Sequence, residues 1–125
     1  MFELSRTFRF EAAHRLPNLP ASHKCSRLHG HSFQCEVVVR GPLAADTGWV
    51  IDFGDIKQVV QPTIDRLDHY YLNDIEGLEN PTAEILSAWI WCKLATDLPG
   101  LVAVTIRETC TSACTYRGPN PTLCP

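Results

Sequence analysis

With 125 residues, 45% of them hydrophobic and 20% charged, the chain has the make-up of one globular domain with a real core, and too little length for two. No apolar run approaches the roughly 20 residues needed to cross a bilayer, so no membrane partner is expected. The net charge of −3 argues against a nucleic-acid partner, whose binding surfaces carry a basic excess.

From the N-terminus, Phe2, Leu4, Phe8, Phe10, Ala12 and His14 share one parity, with Glu3, Arg9 and Glu11 between them, the period of a half-buried strand. His14 ends its inward face. The same stretch lacks the uninterrupted apolar segment of a secretory signal, which makes the cytoplasm the expected location. The six cysteines (Cys25, Cys35, Cys92, Cys110, Cys114 and Cys124) are accordingly expected as reduced thiols rather than a disulfide framework, with buried thiols, oxidised pairs and an adventitious metal site all left open for Cys110, Cys114 and Cys124. Pro17, Asn18, Pro20 and Ser22 mark a turn-rich loop that delivers Cys25 to the next strand, His31 to Arg40.

Beyond Gly41-Pro42 and Asp46-Thr47-Gly48, Asp52 is suited to cap a helix with apolar positions Ile56, Val59, Val60, Ile64 and Leu67, which Pro62 should kink or shorten. Asn80-Pro81 reads as an N-cap followed by proline at the first helical position. Ile85, Leu86, Trp89, Ile90 and Leu94 then repeat at helical spacing up to Pro99-Gly100. Val102, Val104 and Ile106 alternate as a strand whose apolar parity continues onto Glu108, and a last strand is expected over Ala113 to Arg117. An irregular tail follows over 119–125. Strand, strand, helix, helix, strand, strand is too poor in helices for a doubly wound sheet. It predicts an α+β fold with both helices on one face of an antiparallel sheet, the other face being covered by association.

Chemistry concentrates in Cys25-Ser26-Arg27-Leu28-His29-Gly30-His31. Residues two apart on a strand project to one side, so His29 and His31 can offer two imidazoles to one ion, with His14 as the third. Three neutral ligands would leave Zn²⁺ a strong Lewis acid with an open position. Cys25 is either a fourth ligand of a closed site or an acid–base thiol. Asp68-His69 reads as a carboxylate orienting an imidazole, or as a histidine capping a helix end. Glu108, at an inward parity, needs either a salt bridge, with Arg107 or Arg117, or a flat heterocycle presenting adjacent N–H donors. Glu84 is most simply a charge favoured by a helix N-terminus. Five basic residues (Arg6, Arg9, Arg15, Lys24, Arg27) against two acidic ones (Glu3, Glu11) up to His31 make a neighbourhood that would attract an anionic small molecule, or are ordinary solvated charges.

Phe10-Glu11-Ala12-Ala13-His14-Arg15-Leu16, the Cys25–His31 motif, Leu67-Asp68-His69 with Leu72-Asn73, Asn80-Pro81-Thr82-Ala83-Glu84 and Glu108-Thr109-Cys110 together resemble the 6-pyruvoyl-tetrahydropterin synthase family, almost end to end. Within it, the resemblance is to the bacterial-type 6-carboxy-5,6,7,8-tetrahydropterin synthases of the queuosine pathway. Three residues between Cys25 and His29 resemble the carboxy-forming type, since the pyruvoyl-forming enzymes of animals tend to have more. The resemblance implies zinc held by His14, His29 and His31, with Cys25 as proton acceptor. It also implies an acid–base pair Asp68 and His69, and a pterin anchor at Glu108 with Thr82, Glu84 and Thr109 in or beside the pocket. Lys24 and Arg27 are expected to contact the substrate's triphosphate. The implied fold is the tunnelling fold, a four-stranded sheet with two helices that joins others into a barrel, as a trimer or hexamer with active sites between subunits. The substrate would be 7,8-dihydroneopterin triphosphate. The other outcomes are a pyruvoyl-forming enzyme and, in another class, a non-catalytic zinc or pterin-binding domain.

Overall fold

The computed structural model describes residues 1–120 and 122–124, apart from the side chain of Cys110. Strand β1 (Phe2–His14) pairs antiparallel with β2 (His29–Gly41), β2 with β3 (Leu101–Glu108), and β3 with β4 (Ser112–Tyr116), giving sheet order β1-β2-β3-β4. Helices α1 (Phe53–Asp65) and α2 (Ala83–Leu94) pack on one face. The expected α+β architecture is therefore present.

The inward parity of β1 buries Phe8, Phe10, Ala12 and His14, and that of β2 buries Phe33, Cys35, Val37 and Val39. Phe10 lies opposite Phe33, with ring centroids 5.0 Å apart and stacked. Against them α1 sets Ile56, Val60 and Ile64, and α2 sets Leu86, Ile90 and Leu94. Each such side chain contributes roughly 1.5–3 kcal/mol by leaving water. The sheet register is thereby held, because a slip by one residue would turn this face outward. At the far end, Arg40 N–H donates to the Gly100 carbonyl at 2.8 Å. Gly100 has φ +85°, and a Cβ there would lie 2.6 Å from the Arg40 oxygen, so the turn into β3 requires glycine.

Local boundaries differ from expectation in three places. β2 begins at His29 rather than His31, because His29 pairs with His14 in the ladder. The N-cap of α2 is Thr82, not Asn80: the Thr82 hydroxyl accepts from the Ile85 N–H at 3.1 Å, and Pro81 precedes the helix. Pro62 lies inside α1, which ends three residues later at Asp65, so the proline shortens the helix more than it breaks it.

The expectation of reduced thiols is corrected at one pair. Cys92 on α2 and Cys124 in the tail form a disulfide, with Cα atoms 5.5 Å apart. A turn in which Leu123 N–H and Cys124 N–H both donate to the Asn120 carbonyl folds the tail back onto α2. Composition carries no sign of that approach. Cys25, Cys35 and Cys114 are free, and burial pushes the Cys35 thiol up to about 12, the inert form of a core cysteine. Cys110 falls outside the described side chains. The irregular tail expected over 119–125 is described except at 121 and 125, and its described part contains no helix or strand.

Candidate active site

Register brings the histidines together. His14 is the ladder partner of His29, and Ala12 that of His31. Ring centroids lie 4.6 Å apart for His14 and His29, 5.2 Å for His14 and His31, and 4.9 Å for His29 and His31. One nitrogen from each lies within 4.8 Å of the others.

The opposite side of each ring is already engaged. His14 Nδ1 donates to the Pro81 carbonyl at 2.9 Å and His29 Nδ1 to the Arg27 carbonyl at 2.7 Å. A carbonyl only accepts, so both rings carry their proton on Nδ1 and turn a lone pair outward from Nε2. His31 Nδ1 is hydrogen-bonded to the Thr109 hydroxyl at 3.1 Å, a group that can donate as well as accept. His14 is 1% exposed, yet its Nε2 has no hydrogen-bond partner among the described residues. A buried nitrogen left without a partner costs about 1–3 kcal/mol unless something fills the place, and a metal ion does so. Burial lowers the His14 pKa to about 4 against the Pro81 hydrogen bond, with His29 and His31 adding to the depression. The neutral, ligating form is therefore the resting one. Three fixed imidazoles, each with an oxygen behind it, fit Zn²⁺.

Cys25 sits in a short 3₁₀ turn, Lys24–Ser26, and is half-buried. Its carbonyl accepts from Leu16 N–H at 2.8 Å, and Arg15 Nε donates to the Ser26 carbonyl at 3.1 Å, which ties this turn to the end of β1. Among the described residues the metal-suited cluster comprises the three histidines without the Cys25 sulfur. The closed four-ligand site is therefore not formed. Lys24 opens this turn and Arg27 follows it, both exposed and, among the described residues, without a carboxylate partner.

Asp68 and His69 follow α1. His69 has φ +65°, a left-handed conformation that turns adjacent side chains toward each other, and His69 Nδ1 lies 2.9 Å from Asp68 Oδ1. The same oxygen accepts from Glu11 N–H at 2.9 Å, and His69 N–H donates to the Glu11 carbonyl at 2.6 Å. The Glu11 N–H, then His69, hold the Asp68 carboxyl below its ordinary value. His69 is not a helix cap: its side chain is 77% exposed beside the outer edge of β1. It shares an open groove of about 500 Å³ with Glu11, His31, Ser32 and Tyr71.

Glu108 ends β3, and one of its oxygens stands 3.8 Å from His31 Nε2, beyond hydrogen-bond length. It has no salt bridge to Arg107, which instead pairs with Glu36 at 3.3 Å. Its carboxylate lines a separate cavity of about 330 Å³ with Glu84, Ile106, Ser112 and Cys114. Thr82 and Thr109 are not in that lining. Thr82 caps α2, while Thr109, with φ +44°, presents its hydroxyl to His31. Sequence reasoning missed two further groups. The Pro81 carbonyl orients His14 across 67 residues. Asn73 accepts from Arg15 N–H at 3.0 Å and donates to the Arg15 carbonyl at 2.9 Å, fastening the chain where β1 ends. Both residues stand in the motifs that carry the family resemblance, but nothing local assigns them these partners.

The family model for 6-pyruvoyl tetrahydropterin synthase matches residues 3–119. The chain belongs to that family. Similar members include the 6-carboxy-5,6,7,8-tetrahydropterin synthase of Synechocystis, 46% identical over 95% of each chain. The 6-pyruvoyl tetrahydrobiopterin synthase of Drosophila melanogaster is 36% identical over 94% of this chain and 80% of its own. Among solved structures, the Caenorhabditis elegans 6-pyruvoyl tetrahydropterin synthase superposes with a TM-score of 0.87 at 29% identity, covering 94% of this chain and 96% of that one. The sheet with its two helices is thus the tunnelling fold of this family.

Proposed function

We propose that this member of the family is a 6-carboxy-5,6,7,8-tetrahydropterin synthase. It converts 7,8-dihydroneopterin triphosphate and water into 6-carboxy-5,6,7,8-tetrahydropterin, acetaldehyde and triphosphate. The observation that carries the reading is the 46% identity to the Synechocystis 6-carboxy enzyme across 95% of both chains. Its setting would be the cytoplasm and queuosine biosynthesis.

The Nε2 atoms of His14, His29 and His31 would hold Zn²⁺, which when bound supplies Lewis acidity toward the hydroxyls of the substrate side chain. Glu108 accepts hydrogen bonds from adjacent N–H groups of the pterin ring, within the cavity it shares with Glu84. Cys25, as thiolate, takes a proton from the side chain. His69 moves protons, its Nδ1–H held on the Asp68 carboxylate so that Nε2 faces outward. Breaking the bond between the first two side-chain carbons leaves the ring with one carbon, as a carboxylate whose second oxygen comes from water, and releases the other two as acetaldehyde. The terminal carbon takes two electrons as triphosphate leaves, and the ring takes two more in passing from dihydro to tetrahydro. Lys24 and Arg27 are suited to the departing triphosphate.

His69 and Glu108 line separate openings, and both edge strands, β1 and β4, bound the sheet. This supports a homo-oligomer, a trimer or hexamer, in which neighbouring sheets join and one subunit's His69 serves the next subunit's substrate. Incubation with dihydroneopterin triphosphate, with mass analysis of products, tests the reading: a 6-carboxy product with acetaldehyde is expected. A product retaining three side-chain carbons would instead establish the pyruvoyl-forming activity favoured by the Drosophila relative. No turnover, with pterin still bound, would leave a binding domain.

A further inference from the structure

The middle of helix α2 is buried all round, with Leu86, Ser87, Ala88, Trp89, Ile90 and Trp91 consecutive and all buried, while Glu84 and Lys93 near its ends are exposed. A helix apolar all round needs a cover on the side away from the sheet. Part of that cover is the chain after β4. Gly118 lies against the Trp91 ring, so close that a Cβ would fall 2.4 Å from it, and Tyr116 meets Trp91 edge to face at 5.5 Å. Thr122 and Leu123 then wall a cavity of about 550 Å³ whose other side is Trp89, Ala88 and Cys92. Cys124 closes the path onto Cys92.

We propose that the Cys92–Cys124 bond is a redox-operated clasp that holds the two walls of the Glu108 cavity together. The covalent ring from Cys92 to Cys124 spans 32 residues of separation and contains β3 and β4, hence Ile106, Glu108, Ser112 and Cys114. The facing wall, Ala83 and Glu84, stands on α2, the same helix as Cys92. Ser87 and Cys114 meet across the gap, with oxygen and sulfur 3.8 Å apart. With the bond closed, β4 and its tail are fastened to α2 at both ends. A dithiol reductant opens it, transferring two electrons and two protons to give two thiols while forming its own disulfide. Both cysteines are half-buried, and Cys92 borders an open cavity, which gives the reductant a route. Once free, the tail uncovers the Trp89 side of α2, and β4 is held to that helix by packing and the Ser87–Cys114 contact.

The full-length protein, air-oxidised and dithiol-reduced, tests this beside Cys92→Ser and Cys124→Ser. Peptide mapping of the oxidised protein should recover residues 92 and 124 cross-linked. Reduction should lower the melting temperature by on the order of 10 °C in the parent and leave both variants unmoved. Free thiols at both positions after oxidation, or an equal shift in the variants, would overturn the clasp. The link to the cavity rests on the reading of Glu108 as pterin anchor. There, reduction should raise KM for dihydroneopterin triphosphate at least about threefold while kcat changes less than twofold, and the variants should match the reduced parent. An unchanged KM in a turning-over enzyme would overturn the link. Absence of turnover in every form would instead count against the proposed activity, with thiol mapping and melting still deciding the clasp.

Discussion

His14 and Pro81 are joined across 67 residues by a single hydrogen bond of 2.9 Å, from imidazole Nδ1 to backbone carbonyl. The start of α2 thereby aims a ligand at the end of β1. Removing the ligand itself should be decisive: His14→Ala is expected to drop bound Zn²⁺ from about one per chain to near none, measured by metal analysis after dialysis, and to abolish turnover. Full occupancy in that variant would refute the three-histidine centre.

Thr109 stands behind His31 as Pro81 stands behind His14, its hydroxyl 3.1 Å from Nδ1. Thr109→Val keeps the shape and removes the hydrogen bond. A loss of roughly 10–100-fold in zinc affinity is expected, read by competition with a chromophoric chelator. Unchanged affinity would return Thr109 to a role beside the pterin.

Cys25 lies outside the imidazole cluster, so its loss should separate metal binding from chemistry. Cys25→Ala should retain zinc and lose roughly 10²–10⁴ in kcat, the usual range for a removed acid–base group. Zinc lost together with activity would make the sulfur a ligand after all.

Asp68 holds His69 from an exposed position, and the pair is proposed to serve a neighbouring subunit. His69→Gln and Cys25→Ala proteins, each inactive alone, should recover activity when unfolded together and reassembled, because mixed oligomers contain sites with both groups intact. No recovery in verified mixed oligomers would confine the two residues to one subunit's site.

The metal-free protein should show a pH signature of His14. An unfolded chain protonates this imidazole near 6.5, whereas the folded one resists until about 4. Between those values the unfolded state binds more protons, so stability is full above 6.5 and falls as pH is lowered toward 4. The loss is on the order of 3 kcal/mol. Urea midpoints of chelator-treated protein at pH 7.5 and 4.5, compared with His14→Gln, measure it. Equal slopes in both would remove His14 from the cause.

Much of this site is written in local patterns. Alternation along β1 places His14 on the inner face, and His29-Gly30-His31 declares two ligands by spacing alone. Glu108 follows from the parity of β3. What stayed hidden depends on partners far along the chain. The disulfide needs the turn at Asn120, and the cap of α2 depends on which side chain reaches the Ile85 N–H, a choice between Asn80 and Thr82 that propensity does not make. Asp68 and His69 were legible as a pair. The left-handed backbone at His69 that joins them was not, since it is imposed by the Glu11 backbone holding both residues.

Arg15 is fastened by Asn73, and the chain re-enters at Cys25 and Ser26 through bonds to Leu16 and Arg15. The excursion between, residues 17–20, therefore leaves and returns through one stapled neck, whose returning side carries Ala21 and His23, both hydrogen-bonded to the Cys25–Ser26 turn. Its contour length is mechanically decoupled from the imidazoles on either side: an epitope spliced into its tip would hang outside the neck, and evolution is free to lengthen or trim it while the ligand geometry stands still.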